Sequence, residues 1–195
     1  MASYDGPKKV AIIGGGPAGL MAAESACSQG MEVTLYERKA SVGRKFLIAG
    51  RGGLNLTHSE PMPAFVQRYR EQAAAVGEWL TEFDNQELCA WSHGLGIETF
   101  TGSSGRIFPK DMKAAPLLRS WLKRLRESGV HFEVNHQALG FDETGRLRMH
   151  TADGEVAITS DAFIFALGGA SWPQLGSDGQ WQPWLQSEGL AISDL

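Results

Sequence analysis

The 195-residue chain holds only two cysteines, Cys27 and Cys89, 62 positions apart and outside any C-x-x-C spacing. That scarcity argues against a disulfide framework and for reduced thiols. Long apolar runs are also missing: the longest, Ala162 to Leu167, is six residues, far short of the ~18 needed to cross a bilayer. No membrane span is therefore expected. The stretch Met1 to Lys9 carries Asp5 and two lysines and has no apolar core before a small-residue cleavage site, so a cytoplasmic location is the expectation. Positive charge is not in excess, with 18 Lys+Arg against 22 Asp+Glu and a net charge of −4. The short cluster Lys123, Arg124, Arg126 is too small to serve as a nucleic-acid footprint, and no nucleic-acid partner is expected. Metal-ligand spacing is absent from His131, His136 and His150. Cys89 and His93, four apart, could face one ion, but two ligands at the end of an aromatic-rich helix read as packing, so no metal is expected. Gly102-Ser103-Ser104-Gly105 falls one residue short of a nucleophile elbow, and nothing else points to hydrolysis.

What is abundant is glycine, at 24 residues, in a chain otherwise of average globular composition, with 43% apolar and 21% charged residues. The glycines sit at informative places. Lys9 to Ile13 is a β-branched apolar run that stops at Gly14-Gly15-Gly16-Pro17-Ala18-Gly19, after which Leu20 to Ser28 is rich in Ala, Leu and Met. This reads as strand, tight turn, helix; Gly30 ends the helix, and Glu32 to Glu37 reads as a second buried strand. A βαβ unit over residues 9–37 follows, with parallel neighbouring strands in a helix-covered sheet. Gly43 to Thr57 is a glycine-rich stretch that no regular element explains well, and it is read as a functional loop.

Residues 63–95 read as a helical excursion with Phe65, Tyr69, Trp79, Leu80, Phe83, Leu88 and Trp91 as core candidates, and Asp84 with Glu87 as a capping box. Short strands are expected at Ile97 to Phe100 and Arg106 to Phe108. Pro116 opens a helix with Leu117, Leu118, Trp121, Leu122 and Leu125 on one face, closed by Gly129. A small β-meander is expected from Val130 to Thr159, with its main part at 137–159 and turns at Thr144-Gly145 and Asp153-Gly154. Asp161 to Leu167 is a fully apolar strand feeding Gly168-Gly169, the second strand-to-glycine junction. The fold class is thus α/β, a doubly wound Rossmann-like parallel sheet with a helical excursion and a small β-meander, organised as one domain over 1–195.

The G-x-G-x-x-G at Gly14, Gly16 and Gly19 supplies a tight turn, a close backbone approach to a pyrophosphate, and close helix-on-strand packing. The triplet alone is a weak signal. Here it follows a strand, opens a helix, and precedes by 18 residues Glu37 at the end of the next strand. Glu37 can accept hydrogen bonds from an adenosine ribose, and its charge would repel a 2′-phosphate, favouring FAD or NAD over NADP. The long glycine loop after Glu37 favours FAD, because a nicotinamide-only domain needs no such loop. Arg106 to Lys110 with Lys113 could line an anionic-substrate pocket or form a turn with exposed charges.

Four segments carry a family resemblance: Ile13 to Gly19; Gly43 to Thr57; Gly105 to Pro109 with Lys113-Ala114; and Ala166-Leu167-Gly168-Gly169-Ala170-Ser171-Trp172-Pro173 with Gly176-Ser177-Asp178-Gly179. In these the sequence resembles the amino-terminal part of the BaiN-like (YhiN-type) flavoproteins, NAD(P)/FAD-dependent oxidoreductases of the two-dinucleotide-binding flavoprotein type. The family reads G-G-G-R-C-N where this chain has Gly50-Arg51-Gly52-Gly53-Leu54-Asn55, so a flavin-coupled redox cysteine is not expected. The resemblance implies FAD contacts from Gly14, Gly15, Gly16, Pro17, Ala18, Gly19, Glu37, Arg38, Lys45, Asn55, Leu56, Thr57, Ala138, Ala166 and Gly168. Of these, Asn55 and Lys45 are the leading polar candidates near the flavin, the alternative being solvated loop residues. It also implies that a substrate domain and a returning carboxy-terminal segment are absent after Leu195. The function expected is an FAD-binding oxidoreductase passing electrons between NAD(P)H and a small organic substrate, with no catalytic side chain evident. A catalytically inactive FAD- or nucleotide-binding module and a plain NAD-binding Rossmann domain stay open as alternatives.

Overall fold

A computed structural model describes residues 8–175 and 177–193; Gly176 of the G-S-D-G segment and the extreme termini lie outside the described residues. The chain divides into two compact units, Met1–Phe46 with Leu125–Leu195, and Leu47–Arg124.

The first unit is built on a parallel sheet. Strand β1 (Lys9–Ile13) leads through helix α1 (Pro17–Ser28) to β2 (Glu32–Glu37). Val10 to Ile13 are buried along with Leu20, Ala23 and Ala26 of α1 and Val33 and Leu35 of β2, so the apolar runs fold against each other as their patterns demand. The sheet order is β10-β1-β2-β6, where β6 is His131–Val134 and β10 is Ala162–Phe165. All pairs are parallel, with Ile13 opposite Phe165 on one side and Tyr36 on the other. Val130 to Val134 therefore does not begin the meander: β6 joins the main sheet beside β2. The apolar strand β10 lies at one end of the sheet order, and its Ile164 is 37% exposed. The meander itself is a separate three-stranded sheet, β7 (Gln137–Phe141), β8 (Leu147–Thr151) and β9 (Gly154–Ile158). Leu147 and Met149 of β8 are buried in one cluster with Ala11 and Ile13, bordered by Phe141, Phe163, Phe165 and Trp184. Trp184 comes from α7 (Trp181–Ser187).

The second unit carries a three-stranded antiparallel sheet in the order β3-β5-β4, comprising Thr57–His58, Arg106–Pro109 and Thr99–Thr101. The glycine-rich stretch proves partly regular, with α2 spanning Arg44–Ala49. The excursion breaks into α3 (Met62–Gln67), a 3-10 turn at Arg70–Gln72, α4 (Ala73–Trp79) and α5 (Asn85–Gly94). Arg70 at φ +51 marks one break. Two expected core residues are on the surface instead, Trp79 at 70% exposure and Tyr69 at 43%; helices this short present too little of a face to bury every aromatic. The capping box is formed: Asp84 accepts from the amides of Gln86 and Glu87, and Glu87 accepts from the Asp84 amide. Helix α6 (Ala114–Glu127) opens two residues before Pro116, and Leu117, Leu118, Trp121 and Leu125 on its apolar face are buried. Trp91 of α5 packs edge-on to Trp121 at 4.8 Å.

Candidate functional site

The glycine turn shows why each glycine is there. Gly14 sits at φ +112, and a Cβ at this position would lie 2.3 Å from the carbonyl oxygen of Ala166. A Cβ on Gly19 would lie 1.9 Å from the Gly14 oxygen, so α1 can approach the strand only without one. Gly16 differs: nothing lies within 4 Å of its Cβ position. Gly14 and Gly19 thus answer to packing within the protein, and Gly16 faces open space. It is also the N-cap of α1, which has Pro17 in its first turn and no side-chain cap. The amides of that turn are left to whatever occupies the space beside Gly16.

Glu37, at the end of β2, accepts from the Gly15 amide through Oε2 and from the Lys39 amide through Oε1, both at 2.8 Å. A carboxylate has about four lone-pair sites, so acceptor capacity remains for an incoming hydroxyl pair. Gly43 donates its amide to the Gly15 oxygen at 2.8 Å, which folds the segment after β2 back over the glycine turn. The segment following β10 is tied down in three places. Arg38 pairs with Asp178 at 2.8 Å, Lys45 donates to the Ser171 hydroxyl at 3.0 Å, and Trp181 donates its indole N–H to the Gly168 carbonyl at 3.0 Å. Burial works to raise the pKa of Asp178, but hydrogen bonds from Arg38 and the Gln180 amide, with the Arg38 charge, outweigh it and hold the carboxyl below its usual value.

These elements enclose a cavity of about 320 Å³, within the range of small-molecule sites. Of the expected contacts, Gly14, Gly15, Gly16, Glu37, Arg38, Lys45, Ala138, Ala166 and Gly168 line it. Pro17, Ala18 and Gly19 form the first turn of α1 and do not line it. Asn55, Leu56 and Thr57 belong to the second unit. Asn55 spends its side-chain amide on the carbonyls of Thr57 and Ile107 at 2.8 and 3.1 Å, so it braces its own loop and is not a free donor. Residue-by-residue reading missed Tyr36, His136, Asp178, Trp181 and Trp184, all of which line the cavity. The signal for Asp178 was present in the G-S-D-G run after an apolar strand-to-glycine junction. His136 gave none, as its place follows from the passage between β6 and β7, where Nδ1 lies 2.9 Å from the Val134 oxygen and the amide donates to the Glu37 oxygen at 3.0 Å.

In the second unit a cavity of about 490 Å³ is lined by Glu60, Asn85, Cys89 and His93 among others. Burial pushes the Cys89 thiol up, against the opposing effect of a hydrogen bond with Thr99, and this disfavours the thiolate form that ligates metals. Among the described residues no group of three His, Cys, Asp or Glu side chains is placed to hold a metal ion. Arg106, Lys110 and Lys113 line neither cavity. Lys110 is spent on an exposed ion pair with Glu98 at 2.8 Å.

A parallel βαβ sheet with a glycine turn, an uncapped helix start and an acidic residue at the end of the second strand defines a dinucleotide-binding Rossmann domain. The chain belongs to the HI0933-like family, whose Rossmann-domain model matches residues 8–195, and this places it in the flavoprotein class of oxidoreductase type. The finer BaiN-like assignment is not distinguished by that match. Among curated relatives, the ribosomal RNA dihydrouridine synthase of Escherichia coli is 27% identical over 170 residues, covering 85% of this chain and 40% of that protein. Its Haemophilus influenzae namesake is 42% identical over 97 residues, covering 50% of this chain and 24% of that protein. The chain thus matches less than half the length of either relative. Among solved structures, the 3-ketosteroid-Δ4-(5α)-dehydrogenase of Rhodococcus jostii RHA1 superimposes with a TM-score of 0.69 at 14% identity, covering 98% of this chain and 56% of that one. At that identity the likeness is one of fold. No helix among the described residues is long and apolar enough to cross a membrane.

Proposed function

We propose that this chain binds FAD in the cavity of its first unit and is the FAD domain of an oxidoreductase that moves electrons from a reduced nicotinamide to a small unsaturated organic acceptor. One observation carries the reading. The glycine turn, Glu37 and Gly168 meet at the carboxy ends of the adjacent parallel strands β1, β2 and β10, where this fold class binds its ligands. Gly16 and the uncapped start of α1 receive the pyrophosphate, and the open Cβ position of Gly16 is the space that the ligand backbone fills. Glu37 takes the ribose hydroxyls with its remaining lone pairs, and its charge disfavours a 2′-phosphate. Ala138 borders the adenosine end, while Ala166, Gly168 and Lys45 border the other. Bound FAD supplies the two-electron acceptor and donor chemistry; the protein orients it and excludes water.

The test is anaerobic mixing of the FAD-loaded chain with NADH or NADPH while flavin absorbance is followed, and then addition of an enone. Bleaching by a nicotinamide and recovery with the enone supports the full reading. Flavin that binds tightly but is never bleached favours an inactive FAD-binding module. The length of the match to the Escherichia coli relative, 85% of this chain, favours a second version of the acceptor, a uracil ring held within RNA. Recovery with a uridine-containing oligonucleotide and not with the enone would select it.

A further inference from the structure

The antiparallel sheet of the second unit has two unlike faces. Paired residues of antiparallel strands share a face, which puts Thr57, Thr99, Thr101, Ile107 and Pro109 on one side. Most of that side is packed: Ile107 is 9% exposed, Pro109 is fully buried, and His93 of α5 bonds the Thr99 hydroxyl at 2.8 Å, while Thr101 at its end is exposed. The register puts His58, Arg106, Phe100 and Phe108 on the opposite side. There Phe100 and Phe108 are stacked, with ring centroids 5.8 Å apart and an interplanar angle of 29°. Phe100 remains 41% exposed, and Met112, also exposed at 36%, has its backbone at φ +60. A non-glycine residue held there costs about 1–3 kcal/mol, a strain that clusters at ligand sites. Gly53 and Gly102 border Phe108, their Cβ positions lying 4.0 and 3.5 Å from its ring, so no side chain at either position stands over the aromatic pair. Arg106, exposed beside them, has its guanidinium in no hydrogen bond or ion pair among the described residues.

We propose that this face binds a planar conjugated ring carrying an anionic group, the ring laid on Phe100 and Phe108 and the anion held by Arg106. An exposed aromatic stack offers sequence-tolerant contact to any flat π-face, and an unengaged guanidinium beside it selects for a carboxylate or phosphate. A purely apolar partner would leave the Arg106 charge uncompensated. Every residue this inference uses lies in the second unit, so it stands independently of the oxidoreductase reading above.

The experiment is ligand-observed NMR on the whole chain with three probes, orotate, uridine 5′-monophosphate and uracil, with FAD affinity measured on the same samples. The expected result is binding of at least one anionic probe, with uracil weaker by about ten-fold, and loss of about ten-fold in affinity in both Phe100→Ala and Arg106→Gln. Preference for the nucleotide over orotate identifies a phosphate-bearing ligand, and the reverse a ring carboxylate; either supports the proposal. Uracil binding as well as the anions, or affinities unmoved by both variants, overturns it, as does sedimentation showing self-association of the wild type that Phe100→Ala abolishes. Both variants are at exposed positions, and unchanged melting temperatures confirm that they fold. FAD binding without any probe binding sinks this inference alone, whereas probe binding without FAD binding sinks the oxidoreductase reading and leaves the ligand face in place.

Discussion

Replacing Glu37 with alanine separates the structural work of this carboxylate from its proposed work on the cofactor. In the ligand-free protein it accepts two amide hydrogen bonds, from Gly15 and Lys39, each at 2.8 Å and part-buried. Hydrogen bonds to a charged group are worth about 1.5–3 kcal/mol each when fully counted. Here both amides can turn to water once the side chain is gone, so a total loss of about 1–3 kcal/mol is expected. For a chain of this size that lowers the melting temperature by roughly 2–12 °C. Losing the ribose hydroxyl bonds as well costs a further ~2–4 kcal/mol in binding, roughly 30- to 1000-fold in Kd. The assay is thermal unfolding of the ligand-free protein together with flavin-fluorescence titration at a temperature where both proteins are folded. Glu37→Gln keeps one acceptor oxygen and should fall between wild type and alanine in both. A lower melting temperature with an unchanged FAD affinity would refute the reasoning, leaving Glu37 as a brace for the glycine turn and nothing more.

Other outcomes follow from the same geometry. Gly16→Ala should leave ligand-free stability within about 1 kcal/mol, because the position is at φ −81 with open space around it, yet it should weaken FAD binding. Gly19→Ala should destabilise the free protein by about 1–3 kcal/mol or more, since its Cβ would sit 1.9 Å from the Gly14 oxygen; thermal unfolding of the two variants side by side checks the contrast. Asp178 has a depressed folded pKa, so its contribution to stability is present above the ordinary carboxylate value of about 3.9 and is lost as pH falls through the lower folded value. Acid titration of the melting temperature should show that loss in the wild type and a flatter profile in Asp178→Asn. Asp142 accepts from the Thr144 amide and hydroxyl and from the Arg146 amide and side chain, so Asp142→Ala should speed hydrogen exchange at the β7–β8 turn.

The βαβ unit was legible almost to the residue because each boundary has a local cause: an apolar run that ends at a glycine, a Pro17 that suits a first helical turn, a Gly30 at φ +77 that stops the helix. The Asp84–Glu87 box was legible for the same reason. What escaped was whatever depends on distant chain. Nothing near His131–Val134 says that it pairs in parallel with β2 and not with the strand that follows it. The Arg38–Asp178 pair joins positions 140 apart in sequence. Helix α2 was hidden in a glycine-rich stretch, as a single six-residue segment directly after Gly43, and the aromatic spacing around Tyr69 and Trp79 imitated a buried face that α3 and α4 are too short to provide. At the site, glycine positions were readable from spacing, while the side chains that close the cavity, His136 and Trp181 among them, were not.

The most direct test of the central claim is to titrate the ligand-free chain with FAD and with NAD, following flavin fluorescence and thermal unfolding together. The account predicts one FAD per chain and a melting temperature that climbs with FAD concentration as mass action requires, with little effect from NAD. A folded chain whose melting temperature rises with NAD and ignores FAD would contradict it.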